Sequence, residues 1–385
     1  MAHKYIILRR PPIDAKRTHR GAEAVDATPL LVSVSELDPD DAAAQQRAGD
    51  VVACARAMPM RLVSPFMFGR RPAPRDPVAW GVQAVGADRS EFSGAGVVVA
   101  VLDTGIDPAH AAFEGVELVR QNFTADGDDD TDGHGTHCAG TIFGRPVDGT
   151  RIGVAPGVTR ALIGKVVGKD GGSSEILVRA IDWALDNDAL VISMSLGMDF
   201  PGFVRQMIEE DGLPPELATS RALEGYRSNV LLFERLAATL RLRGNAPLIV
   251  AAAGNESRRQ LRPDFLIAVS PPAVAEGILS VAAVGRGERG LEVADFSNVG
   301  ANLCAPGVDI VSAKLGGGLA TLSGTSMAAP HVAGVAALWA EKMRRTTARL
   351  TGTAVLERVK GRVDDAQLRP GQDASSVGGG LVRAP

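Results

Sequence analysis

The sequence contains no apolar run approaching the roughly 18 uninterrupted residues of a membrane span, which sets aside a helical span within these residues. The N-terminal MAHKYIILRR offers only Tyr5 to Leu8 before Arg9 and Arg10, too short for the core of a signal peptide. Read as it stands, the chain is expected to remain in the cytoplasm. Cysteine is scarce: Cys54, Cys138 and Cys304 are widely spaced and odd in number, which argues against a disulfide framework and leaves room for one bridge at most. No excess of positive charge exists either, because 41 Lys and Arg face 45 Asp and Glu for a net charge of −4. No nucleic-acid partner is therefore expected. What is present, 45% hydrophobic and 22% charged residues in a chain of 385, suits a globular protein with a substantial core.

The stretch SPFMFGRRPAPRDPVAW, at 64–80, interrupts any periodic pattern with prolines and arginines and reads as a linker. We assign 1–66 to a small α+β N-terminal domain, 67–84 to the linker and 85–385 to a large α/β domain. In the first unit, LLVSV (Leu30 to Val34) suits a strand. Asp38 and Pro39 mark an N-cap and a first helical position, and Val51 to Val63 reads as one extended segment. In the second, Val97–Asp103, Ala189–Gly197, Leu248–Asn255 and Ile278–Gly285 are continuous apolar runs, as expected for strands buried on both faces. SEILVRAIDWALDND between the first two has a helical apolar face. Alternation of this kind predicts a three-layer αβα fold around a mainly parallel sheet, with ligands beyond the carboxyl ends of the strands.

Three chemically active side chains fall at element ends. Asp103 closes the apolar run VLDTGID, His134 opens a small-residue helix in DGHGTHCAG, and Ser326 opens another in GTSMAAPHVAG. Taken alone, Ser326 reads as an N-cap and Asp103 as a turn aspartate. Taken together they are acid, base and nucleophile. A serine hydroxyl needs an imidazole to take its proton, and the imidazole needs a carboxylate to fix its tautomer. His134 and His137 could also form a metal pair, but no HExxH pattern or third clustered ligand accompanies them, and no metal is assigned to the site. His331, five residues beyond Ser326, is read as structural.

VLDTGID, DGHGTHCAG, MSLG, AAAGN and GTSMAAPHVAG, in that order, resemble the motifs of the subtilisin-type (subtilase) serine peptidases. The resemblance runs from about Pro77 to the C-terminus. It implies a serine endopeptidase acting on proteins or peptides through an acyl-enzyme, with Ser326 as nucleophile, His134 as base and then acid, and Asp103 as its orienting partner. By the same resemblance, Asn255 and the backbone N–H of Ser326 form the oxyanion hole. Ser195, Leu196 and Gly197 pair with substrate, and Ala252, Ala253 and Gly254 line the pocket for the residue before the scissile bond. Cys138 resembles the buried cysteine of the proteinase K branch, which implies sensitivity to mercurials. No cofactor is implied for catalysis.

Other features leave alternatives open. DGDDDTDG (Asp126 to Gly133) is either a structural Ca²⁺ site or a solvated acidic loop. Residues 199–225 are longer than the family pattern and read as a flap, a dimer contact or a neutral insertion. The N-terminal domain loosely resembles an inhibitory prosegment, with Arg70-Arg71 as a place for cutting, so the chain would be its own intramolecular inhibitor. Rival readings are a peptide ligase or macrocyclase using the same triad, and a non-catalytic peptide-binding scaffold. Oligomeric state is not legible.

Overall fold

Strands without polar interruption bury both faces, and the apolar runs of this chain do so. A computed structural model describes residues 2–10, 31–66, 76–242, 244–347 and 350–385. Leu30 and the Arg70-Arg71 pair lie outside the described residues. The N-terminal part holds β1 (His3–Arg9), β2 (Leu31–Leu37), α1 (Pro39–Arg47), β3 (Val51–Arg56) and β4 (Pro59–Leu62). Next come α2 (Trp80–Ala84), β5 (Val98–Asp103), β6 (Glu117–Asn122), α3 (His134–Phe143), β7 (Arg160–Lys165), β8 (Gly172–Ser173) and α4 (Ser174–Asp186). They are followed by β9 (Val191–Met194), β10 (Leu196–Met198), α5 (Phe200–Glu209), α6 (Pro215–Arg241), β11 (Leu248–Ala252), β12 (Ile278–Gly287) and β13 (Gly290–Val293). The chain closes with β14 (Leu303–Pro306), β15 (Ile310–Ala313), β16 (Leu319–Leu322), α7 (Thr325–Arg344), α8 (Gly352–Lys360), β17 (Val363–Asp364), α9 (Ala374–Val377) and β18 (Leu381–Val382).

The main sheet runs β17-β18-β14-β12-β11-β9-β5-β7-β6, with β13 beside β12. Every pairing from β18 to β6 is parallel, and only β13 and β17 run against their neighbours. Helices α3 and α7 pack on each other and on the central strands, and α4 packs on β5 and β7, so the sheet forms the middle of three layers. Local signals agree with this: Ser173 caps α4 by accepting from Ile176 N, and Asp38 caps α1 by accepting from Asp41 N.

Two expected strands are each divided between sheets. Ala189–Gly197 breaks at Ser195, so β9 stays in the main sheet while β10 leaves it and pairs antiparallel with β4. Val51–Val63 breaks after Arg56, so β3 joins β1 and β4 joins β10. The break follows from Met58, whose backbone exchanges hydrogen bonds with Ser174 at the start of α4, and from Pro59, which has no N–H for a ladder.

The insertion is helical. It comprises α5 and the first turns of α6, a 27-residue helix, whereas the periodicity around SNVLLFERLAATLRLRG predicts only its later part, with Tyr226, Val230, Phe233, Ala237 and Leu240 facing the core. Phe233, Ala237 and Leu240 are buried as that periodicity predicts, but upstream Gly225 and Asn229 are buried and Tyr226 and Val230 only half-buried. The reason is close packing on the N-terminal strands. Asn229 Nδ2 donates to Arg56 O at 2.8 Å, and a Cβ on Gly225 would meet Met58 Sδ at 3.4 Å. Arg61 pairs with Asp199 at 2.9 Å, and the Arg56 guanidinium lies over Phe203. All three cysteines are buried and free, so the single bridge left open by their number does not form. Among the described residues, no helix is long and apolar enough to cross a membrane.

Candidate active site

Asp103 ends β5 and His134 begins α3. His134 Nδ1 donates to Asp103 Oδ1 at 2.7 Å, and both side chains are almost wholly excluded from solvent. Two glycines make this approach feasible. Gly133 caps α3 with φ +94°, and a Cβ on Gly135 would lie 2.2 Å from Gly105 O, so only hydrogen fits where the two loops cross. Burial opposes the charged imidazole, but the adjacent Asp103 carboxylate outweighs it, and the His134 pKa stands well above 6.5. With a folded pKa raised in this way, the pair's contribution to stability is full below about pH 6.5 and is lost as pH rises through the folded value.

Cys138, one turn along α3, joins the other parts. Its Sγ lies 3.8 Å from His134 Nδ1, 3.8 Å from Ser195 Oγ and 3.4 Å from the carbonyl oxygen of Ser326. Burial keeps the thiol protonated by raising its pKa. Asp103, His134 and Cys138 bring donor atoms within 4.8 Å of one another. His137 takes no part in that group: its Nε2 faces the carbonyls of Ile310 and Ala320, and burial, with the nearby His134 charge, lowers its pKa to about 3.

Ser326 is not an N-cap. Gly324 holds that position, and Ser326 is the second residue of α7, with the helix's free N–H groups around it. Asn255 follows β11, and its orientation is fixed by chemistry: Oδ1 accepts from Thr325 N and Thr325 Oγ1, both at 2.9 Å. An amide oxygen must face those two donors, which turns Nδ2 toward the cleft. Ser195 holds the Ser326 carbonyl through its own hydroxyl at 3.2 Å. Ala252 ends β11 and Ala253 follows it, both buried, and Gly254 N donates to Thr325 Oγ1 at 3.1 Å. His331 Nδ1 meets Met327 O within α7, as expected for a structural residue, and burial lowers its pKa to about 4.

A stretch that no motif announced occupies the cleft. Residues Met60 to Leu62 pair antiparallel with Met198 to Leu196, and Val63 N donates to Ser195 O at 3.2 Å. Ser326 Oγ donates to Val63 O at 2.7 Å. Asn255 Nδ2 donates to the next carbonyl, that of Ser64, at 2.9 Å. Phe66 then exchanges backbone hydrogen bonds with Ser323, and its ring stacks on Phe296 at 5.0 Å. His134 Nε2 is buried with no hydrogen-bond partner among the described residues. The loose resemblance of 1–66 to an inhibitory prosegment implies that the C-terminal segment of that unit lies in the cleft, and this is the stretch found there.

The acidic loop carries its own cation. Lys165, at the end of β7 and 3% exposed, donates from Nζ to the carbonyls of Gly127 and Asp129 at 2.6 and 2.7 Å. Asp126 accepts from Lys169 N, and Asp130 is buried among loop donors.

The parallel sheet, with its chemistry gathered at strand ends between two central helices, defines a subtilisin-like α/β protein. Fervidolysin from Fervidobacterium pennivorans, a keratinolytic enzyme related to subtilisin, shares this fold with a TM-score of 0.67 at 21% identity, over 100% of this chain and 60% of that one. The model of the subtilase family matches residues 94–367, and the chain belongs to that family. It is 33% identical over 280 residues to the subtilisin-like serine protease Pen ch 13 of Penicillium rubens, covering 68% of this chain and 59% of that protein. It is also 34% identical over 256 residues to an intracellular serine protease of Paenibacillus polymyxa, covering 65% and 68% respectively. The chain thus spans about six-tenths of the length of the fungal relative.

Proposed function

We propose that the chain is a serine endopeptidase restrained by its own N-terminal unit. Ser326 Oγ attacks the carbonyl carbon of a peptide bond while His134 Nε2 takes its proton, and Asp103 holds the imidazole and its charge. Asn255 Nδ2 and the N–H of Ser326 receive the oxyanion. Collapse breaks the C–N bond, the leaving amine takes the proton from His134, and water then releases the acyl group by the same route. All of these groups belong to the chain itself.

The observation that carries the reading is the path of Met60–Phe66. A segment held as an added strand on β10 lies where a substrate would lie. Yet Ser326 Oγ is on the carbonyl of Val63 while Asn255 is on that of Ser64, so no single peptide group has both nucleophile and oxyanion donor. The Ser326 proton is directed to Val63 O, away from His134 Nε2. These contacts support residues 1–66 as a unit that occupies the cleft without being cut there. Acyl transfer to an amine, the ligase alternative, would need the 199–225 insertion to exclude water at Ser326, and Phe203 and Asp199 of that insertion meet β3 and β4 instead. A fluorophosphonate probe tests the nucleophile. Once the N-terminal unit has been cleaved, wild type is expected to gain the probe's mass and Ser326→Ala to gain none. Labelling that persists in Ser326→Ala would contradict the assignment.

A further inference from the structure

Asp130 lies in the acidic run before His134, yet it is 4% exposed and has no ion-pair partner among the described residues. Its Oδ1 accepts from Thr104 Oγ1 at 3.0 Å, Asp132 N at 3.0 Å and Gly133 N at 2.9 Å. Its Oδ2 accepts from Thr136 N at 3.0 Å and Thr136 Oγ1 at 2.6 Å. Thr104 follows Asp103 directly, and the other donors flank His134 on both sides. Thr104 Oγ1 accepts in turn from Gly135 N at 2.9 Å, and Thr136 Oγ1 from Asp107 N at 2.9 Å. The loop carrying Asp103 and the helix start carrying His134 are therefore joined through one carboxylate.

We infer that Asp130 is a positioning residue for the proposed reaction, fixing the distance and angle between Asp103 and His134. The inference rests on the triad reading above. It follows from what the surrounding groups require. Gly133, the N-cap of α3, has no side chain to accept from the helix's first N–H groups, and Asp130 supplies that oxygen from three residues upstream. A buried carboxylate surrounded by five donors is satisfied as an anion. Burial alone would raise its pKa, but the hydrogen bonds from Thr136, Gly133 and Asp132 hold it below the usual carboxylate value. No neutral isostere can replace it. Each oxygen faces a backbone N–H, so either orientation of an asparagine sets its NH₂ against a donor. The helix start would then shift, and His134 with it.

Lys165 supports the same loop from the other side. Its ammonium holds the carbonyls of Gly127 and Asp129, the residues just before Asp130, and Lys165 lies beside Asp103 in the sheet register. The run Asp126–Asp132 is thus a strut between the ends of β5, β7 and α3.

The test uses full-length wild type, Asp130→Asn, Thr104→Val and Thr104→Ser. Three quantities are measured: the low-field proton NMR signal of the His134 Nδ1–H and Tm in the full-length chain, and the rate of fluorophosphonate labelling at Ser326 once the N-terminal unit has been cleaved. Asp130→Asn and Thr104→Val are expected to shift or broaden the imidazole signal and to slow labelling by about 10- to 100-fold, as misplacements of an ångström or less do. Thr104→Ser, which keeps the hydroxyl, restores both. A fall in Tm with signal and labelling unchanged would overturn the inference. So would a folded Thr104→Val protein indistinguishable from wild type, should Asp130→Asn fail to fold. Wild type that resists the probe even after cleavage of the N-terminal unit would count against the peptidase reading, and the imidazole signal would then decide the role of Asp130 alone.

Discussion

Asn255 can point its amide only one way, because Thr325 presents two donors to its oxygen. The direction of one hydrogen-bond donor is thereby set by the residue that precedes Ser326, the proposed nucleophile, and the two respond to the same helix. Replacing Asn255 with alanine removes a donor from the proposed oxyanion site and leaves the fold's apolar core untouched. Turnover is expected to fall by about 10²–10³ with little change in KM, as measured on a small peptide substrate with the cleft cleared. An unchanged kcat would show that Asn255 does not face the reacting carbonyl. At this scale the sequence was informative where chemistry is rare. An acid ending an apolar run, a histidine and a serine opening small-residue helices, and an Asn after a glycine stand out from their surroundings. Asp130 does not, because an aspartate among four others reads as solvated until a fold encloses it. Lys165 was equally illegible, since a lysine at a strand end gives no sign that its ammonium will be buried on carbonyls.

Helices α3 and α7 each carry a buried histidine besides the active-site groups, and these tie the packing of the two elements to pH. His137 on α3 and His331 on α7 are neutral in the folded protein, with pKa values lowered by burial to about 3 and about 4 from 6.5. The unfolded chain therefore binds more protons below pH 6.5, and stability must fall as pH drops. Each histidine adds a slope of about 1.4 kcal/mol per pH unit once the unfolded form is fully protonated. His134, raised in the fold, is protonated in both states in that range and adds no slope. Guanidinium unfolding of Ser326→Ala, chosen to prevent self-digestion, is expected to show stability falling steadily from pH 6.5 to 5. A flat profile would mean that the two imidazoles are not enclosed as described. Element types were well signalled by runs of apolar residues and by the cap at Asp38. The sheet each strand would join was not. An extended pattern is the same in Val51–Arg56 and in Pro59–Leu62, and only the anchoring of Met58 on α4 sends them to different partners. Tyr226 and Val230 of α6 misled for a related reason, since burial at that point follows the close approach of β3 at Gly225 and Asn229.

In the whole molecule a small antiparallel sheet of β1, β2 and β3 sits beside the large parallel one, and the next strand, β4, enters the cleft between β10 and β8. The insertion at 199–225 meets β3 through Phe203 and β4 through Asp199, and Asn229, further along α6, holds β3, so this departure from the family pattern is also a surface on which the N-terminal strands rest. The central claim is that this unit restrains a working serine peptidase. Intact mass of wild type and Ser326→Ala, followed over hours alongside the rate of fluorophosphonate labelling, tests it most directly. Wild type alone is expected to lose an N-terminal fragment of roughly 7 to 9 kDa, scaled from 40.0 kDa for 385 residues, and to label faster once the fragment is gone. Uncut wild type labelling as fast as the cut form, or Ser326→Ala losing the same fragment, would contradict the account.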